Sequence, residues 1–146
     1  MKTGLPILVW VVAATLALGG AAYANPPIVF DQDNSGSTSF QMPSGNIGCI
    51  YIPPGGTEVY VPPDGGPELS CDRVAPTYLR FTLSTTGPAT VESPGDQGCC
   101  GGPNTFTYDR TWRIEPFTCE SATSGLTCER DDGHGFFISK ATVSAY

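Results

Sequence analysis

Cys49, Cys71, Cys99, Cys100, Cys119 and Cys128 lie in a stretch with little else to hold a fold together. Between residues 25 and 146 only 23 side chains are Leu, Ile, Val or Phe, while Gly and Pro together number 28. So few apolar groups struggle to offset the conformational entropy lost on folding. Cross-links remedy this in small domains, and they persist only in an oxidising compartment. A disulfide-braced, exported chain is expected.

The N-terminus agrees with export. Met1-Lys2-Thr3-Gly4 places one positive charge before an uncharged apolar run from Leu5 to Leu18, and Ala22-Tyr23-Ala24 offers the small residues a signal peptidase needs. Residues 1–24 are expected to be removed as a signal peptide, leaving a chain that begins at Asn25 and is not stably inserted in a membrane. A retained anchor is the competing reading. Asn25-Pro26-Pro27 follows the apolar run, however, with no basic stop-transfer cluster. The first cysteine is Cys49, so no lipid-attachment cysteine sits at the cleavage site.

Loss of Lys2 would leave six basic residues against fourteen acidic ones. That balance repels phosphate backbones and anionic membranes, so nucleic acid is not an expected partner.

Apolar and polar residues alternate with a period of two in 78–85 and 105–114, the signature of half-buried antiparallel strands. Leu79, Phe81 and Leu83 face one way in the first segment, and Phe106, Tyr108, Trp112 and Ile114 in the second. Further strands are expected at 47–52, 58–61, 69–71, 90–92, 117–119, 126–129 and 136–139. Pro/Gly-rich breakers such as 53–56 and 62–67 separate them. Together these predict an all-β fold, a small disulfide-stapled antiparallel sandwich or barrel over 40–146. Residues 25–39 read as a flexible leader, and no internal repeat is evident.

Six cysteines allow fifteen pairings. Cys119 and Cys128 end two similar phrases either side of a Ser/Gly-rich loop, and Cys49 and Cys71 flank the Pro/Gly-rich segment on two predicted strands. Cys49–Cys71 and Cys119–Cys128 are therefore the expected bridges. Cys99 and Cys100 remain, joined to each other or each tied to a different strand. No C-x-x-C occurs, which argues against a zinc site.

The segment from Phe40 to Cys49 (FQMPSGNIGC), Cys71-Asp72, and Gly125-Leu126-Thr127-Cys128 followed by Gly133-His134-Gly135-Phe136 resemble a family of small exported bacterial proteins. Its pattern runs F-x-x-P-S-G-N-I-x-C … C-D … G-L-T-C … G-H-G-F. The resemblance implies a secreted or envelope-associated β domain of uncharacterised activity. The family's further cysteine, in a C-D-W-G-like phrase, is absent here, and Cys99-Cys100 stand adjacent instead.

Few residues point to chemistry. Asp31-Gln32-Asp33-Asn34-Ser35-Gly36 matches half a calcium loop, but the twelfth position is Met42 instead of Glu, so no metal is expected. His134 is the only histidine and hence the only side chain that titrates near neutrality unperturbed. A turn-capping role beside Asp132-Gly133 explains it more simply than a general base, and Ser139 is a weak nucleophile candidate. Phe106, Tyr108 and Trp112 suit a core better than a ligand face. Glu58, Glu68, Glu92, Glu115 and Glu120 are scattered at outward positions. No catalytic set, cofactor or metal site is expected. The favoured function is a non-enzymatic secreted or envelope-associated binding or structural module, its partner unknown but possible as an envelope or extracellular protein. The alternatives are a small secreted enzyme using His134 and an inhibitor-like domain presenting 53–56 or 62–67.

Overall fold

The computed structural model describes residues 25–146, so the expected signal peptide falls outside the described residues. The chain forms eleven strands: β1 (Thr38–Gln41), β2 (Ile47–Ile52), β3 (Glu68–Arg73), β4 (Leu79–Leu83), β5 (Thr90–Glu92), β6 (Asn104–Thr105), β7 (Arg110–Ile114), β8 (Phe117–Ala122), β9 (Gly125–Arg130), β10 (Gly135–Ile138) and β11 (Val143–Ala145). They make two sheets, a six-stranded one in the order β5-β4-β3-β2-β1-β6 and a five-stranded one in the order β11-β10-β9-β8-β7. All pairings are antiparallel except β1 with β6. The expected all-β sandwich is what the alternation builds. Cys49, Leu69, Cys71 and Phe81 from one sheet, and Phe117, Cys119, Leu126, Cys128 and Phe136 from the other, are fully buried.

Each central bridge joins neighbouring strands of one sheet. Cys49 lies opposite Cys71 on β2 and β3, and Cys119 opposite Cys128 on β8 and β9, both with Cα atoms 4.1 Å apart. That is close to the narrow spacing of an antiparallel pair without mutual hydrogen bonds, where side chains meet most closely. Cys99 bonds to Cys100.

The sheets are two copies of one plan, contrary to the expectation of no internal repeat. In the first, Phe40, Cys49, Cys71 and Phe81 sit side by side across β1–β4; in the second, Trp112, Cys119, Cys128 and Phe136 do so across β7–β10. Leu69-Ser70-Cys71-Asp72-Arg73 corresponds to Leu126-Thr127-Cys128-Glu129-Arg130, and Phe81-Thr82-Leu83-Ser84 to Phe136-Phe137-Ile138-Ser139. The rows meet face to face, with ring centroids 5.1 Å apart for Phe40 and Trp112 and 5.6 Å for Phe81 and Phe136. Both repeat arginines are buried and reach the opposite sheet: Arg73 donates to the Ser139 carbonyl, and Arg130 to the carbonyls of Ser84 and Gly87.

Besides β11, which is not among the expected strands, three segments depart from them. The run 105–114 is broken: Phe106 N–H bonds Gln41 beside the first sheet, whereas Asp109 N–H bonds Ser121 in the second. The chain crosses between sheets here, turning at Asp109 (φ 59°), a residue type that tolerates the left-handed region. Phe106 and Trp112 are still buried on either side of the crossing. Residues 58–61 form a bend and irregular chain instead of a strand, since the Thr57 hydroxyl accepts from Val59 and Tyr60 N–H and both neighbours of β2 are already taken. Finally, β1 begins at Thr38, inside the segment read as a leader. Upstream, Ile28 bridges to Trp112 and Phe30 stacks on Phe40 with centroids 5.2 Å apart.

Candidate functional site

A strand at the middle of a sandwich normally buries one face only. β3 buries all six residues. Leu69, Cys71 and Arg73 point to the core, so Glu68, Ser70 and Asp72 belong to the outer face and something covers them. On the equivalent strand β9, the outward Glu129 is exposed.

The cover comes from two loops. Residues 53–67 replace what is only a two-residue turn between β8 and β9. This insertion is closed on itself by Gly56 N–H to Pro53, Gly55 N–H to Gly65 and Thr57 N–H to Tyr60. Asp64 then fastens it to the β4–β5 turn, accepting from Thr85 N–H at 2.9 Å and from the Thr85 hydroxyl. The hydroxyl of Thr85, with backbone N–H groups, holds the Asp64 carboxyl below its usual range. The second loop, 93–103, lies against β2 at Gly48. A Cβ there would fall 2.6 Å from the Cys100 carbonyl oxygen, so only glycine lets the backbones touch.

Between the loops runs a groove of about 850 Å³ over the outer face of β2–β5. Ile50, Ser70 and Thr82 form part of its floor, Tyr60 and Asp64 line the insertion side, and Asp96 and Cys99 the other. Asp72 holds Arg80 through two hydrogen bonds of 2.8 and 2.9 Å and accepts a third from the Tyr78 hydroxyl. Burial, with the Asp72 carboxylate beside it, pushes the Tyr78 hydroxyl up to about 12. Arg80 also donates to the Asp96 carbonyl at 3.1 Å, which anchors the second loop. Glu68, 5% exposed, accepts from the Tyr60 hydroxyl at 3.1 and 3.2 Å and from Ser70 at 3.3 Å. Burial pushes its carboxyl up, and these hydroxyls only partly oppose the shift.

The residues singled out from sequence are not gathered here. His134 lies in the β9–β10 turn of the other sheet, its N–H capped by Asp132 at 3.2 Å. Ser139 is beyond the far end of β10 and its hydroxyl donates to the Thr142 carbonyl, so histidine and serine are not a pair. In the calcium-like stretch, Asp33 is spent on Ser35 and Ser37 within a turn that leads into β1. Asp72 and the sulfurs of Cys99 and Cys100 cluster within 4.8 Å. Both sulfurs are in the disulfide and both carboxylate oxygens are engaged, so this trio offers no free metal donor. Sequence alone read Glu68 as one of several scattered outward carboxylates, although it is buried, and gave no role to Tyr60, Asp72 or Arg80. The alternation Glu68-x-Ser70-x-Asp72 was visible but looks like any solvated strand face, because the residues that bury it lie elsewhere in the chain.

No family model, curated protein or solved structure matches this chain.

Proposed function

We propose that the protein is an exported, non-enzymatic binding module and that the groove on the six-stranded sheet is its ligand-binding face. One observation carries the reading. Two halves share a frame down to paired cysteines and reciprocal arginines, and they differ chiefly in what is layered on the outer face of the first. A feature added to one copy of a duplicated scaffold, and framed by loops, one of them tied to itself, supports placing a specific activity there. The cavity has the size of a small-molecule or side-chain site and combines an apolar patch of Ile50, Ile52 and Val59 with a mostly polar remainder that includes oriented carboxylates. Three cysteine pairs at bonding distance fit an oxidising environment. The apolar N-terminal run and the resemblance to small exported bacterial proteins support secretion or residence in the cell envelope. An enzyme built on His134 has less support, since Ser139 lies beyond the far end of β10 and the neighbouring Asp132 carboxylate is paired with Arg130.

The test is ligand mapping on the oxidised protein by amide NMR, with panels of amines, saccharides and short peptides. Perturbed amides should cluster on β3, β4 and the loops 53–67 and 93–103, and a Thr82→Trp variant that fills the floor should abolish them. Perturbations confined to the β9–β10 turn would refute the groove and favour the His134 reading.

A further inference from the structure

Glu68 is the group in the groove with an unmet need. Its carboxylate is buried and lines the cavity, and its hydrogen bonds come only from hydroxyls. Among the described residues, the ion pairs are Arg80–Asp72, Arg113 with Glu115 and Asp131, and Arg130–Asp132; none involves Glu68. A carboxylate withdrawn from water without a counter-charge is unfavourable and tends to take up a proton. Arg80 is the only basic side chain in the lining, and it is committed to Asp72 and the Asp96 carbonyl. Asp64, Glu92 and Asp96 add further negative charge around the same opening.

Charge alone would describe a solvated acidic patch. Here the carboxylate lines a concave surface that also includes Ile50, Ile52, Val59 and the ring of Tyr60. An apolar approach that ends at an uncompensated anion complements one kind of group. We infer that the groove receives a cation on an apolar stem, an alkylammonium or guanidinium such as a lysine or arginine side chain or a free alkylamine, with the cation at Glu68. This rests on the binding reading above and names the ligand chemistry of that site. The stem replaces water along Ile50 and Ile52, and the Tyr60 hydroxyl and Ser70 hold the carboxylate in place. Anionic ligands are disfavoured by the same four carboxylates, while the acidic chain, formally −7, draws cations toward it.

Protonation competes with the ligand. The ionisable groups acting on Glu68 are Tyr60 and Asp64 from the insertion, and Arg80 on β4 acts on Tyr60. Burial raises the Glu68 carboxyl, so affinity should fall as pH drops through that raised range, above where an ordinary glutamate would protonate.

The experiment titrates the oxidised protein at low salt with 1,5-diaminopentane, with an acetyl-Gly-Lys-Gly amide, and with the same peptide carrying norleucine for lysine. The inference requires that the cationic probes shift groove amides and norleucine does not. It requires also that Glu68→Gln weakens them at least about tenfold and that Thr82→Lys, which places a cation in the groove, blocks them. Preference for the diamine or the peptide tells a free amine from a polypeptide side chain. If saccharides or the norleucine peptide bind the groove as well as the cations do, or Glu68→Gln binds unchanged, the cation assignment is overturned while the groove stands. If the amines bind only elsewhere on the surface, both readings fall.

Discussion

Glu68 stabilises the fold less as an ion than as a neutral acid, because burial raises its carboxyl above the unfolded value. Such a group contributes its stability at pH below the unfolded range and loses it as pH rises through the folded one. Glu68→Gln is therefore expected to raise the melting temperature at pH 7 and to make no difference near pH 3. Scanning calorimetry at the two pH values checks this, and a lower melting temperature at pH 7 would mean that the charge is internally compensated. Other single residues give structural content to the phrase that begins at Phe40. Asn46 clasps a distant turn, donating to the Ala75 carbonyl at 3.0 Å and accepting from Ala75 N–H at 2.8 Å. Gly48 admits the loop that carries Cys99 and Cys100. Neither role was legible, since the partners lie 29 and about 50 residues away and no local pattern announces them.

Among elements, the strands were readable where alternation was uninterrupted. Residues 47–52 and 90–92 form strands at the expected bounds. The segment 105–114 kept its inward aromatics but not its continuity, because a chain that crosses between sheets must change hydrogen-bonding partner on the way. Pairing the central cysteines followed from placing them on adjacent strands. That placement also sets their reactivity. Cys49, Cys71, Cys119 and Cys128 are 0% exposed between the sheets, whereas Cys99 and Cys100 are half-buried in a loop. Access governs thiol–disulfide exchange, so a mild dithiol should open Cys99–Cys100 first. Alkylation and mass mapping at partial reduction should find label on those two alone. Simultaneous labelling of all six would show that the sheets open as readily as the loop.

At the scale of the molecule, stability depends on the bridges because the core is small. In the chain-entropy picture, closing the 22-residue span from Cys49 to Cys71 contributes about 3 kcal/mol, and the 9-residue span from Cys119 to Cys128 about 2.5 kcal/mol. Those sums rival the whole stability of an ordinary domain. Complete reduction is expected to convert the β-sheet circular dichroism spectrum to that of coil at 25 °C, and an unchanged spectrum would make the cysteines incidental. The all-β class was legible from alternation and breakers. The duplication was not, because its halves differ in every loop length and agree mainly in which residues stand opposite one another. The arginines carry that agreement furthest. Arg73 reaches the residue after β10, and Arg130 reaches the residue after β4, each the counterpart of the other. Mutual contact of this kind, residue i to j and j back to i, is the mark of an isologous interface between identical subunits. The sandwich thus has the form of a symmetric homodimer written into one polypeptide, and fusion leaves each face free to diverge without disturbing its twin.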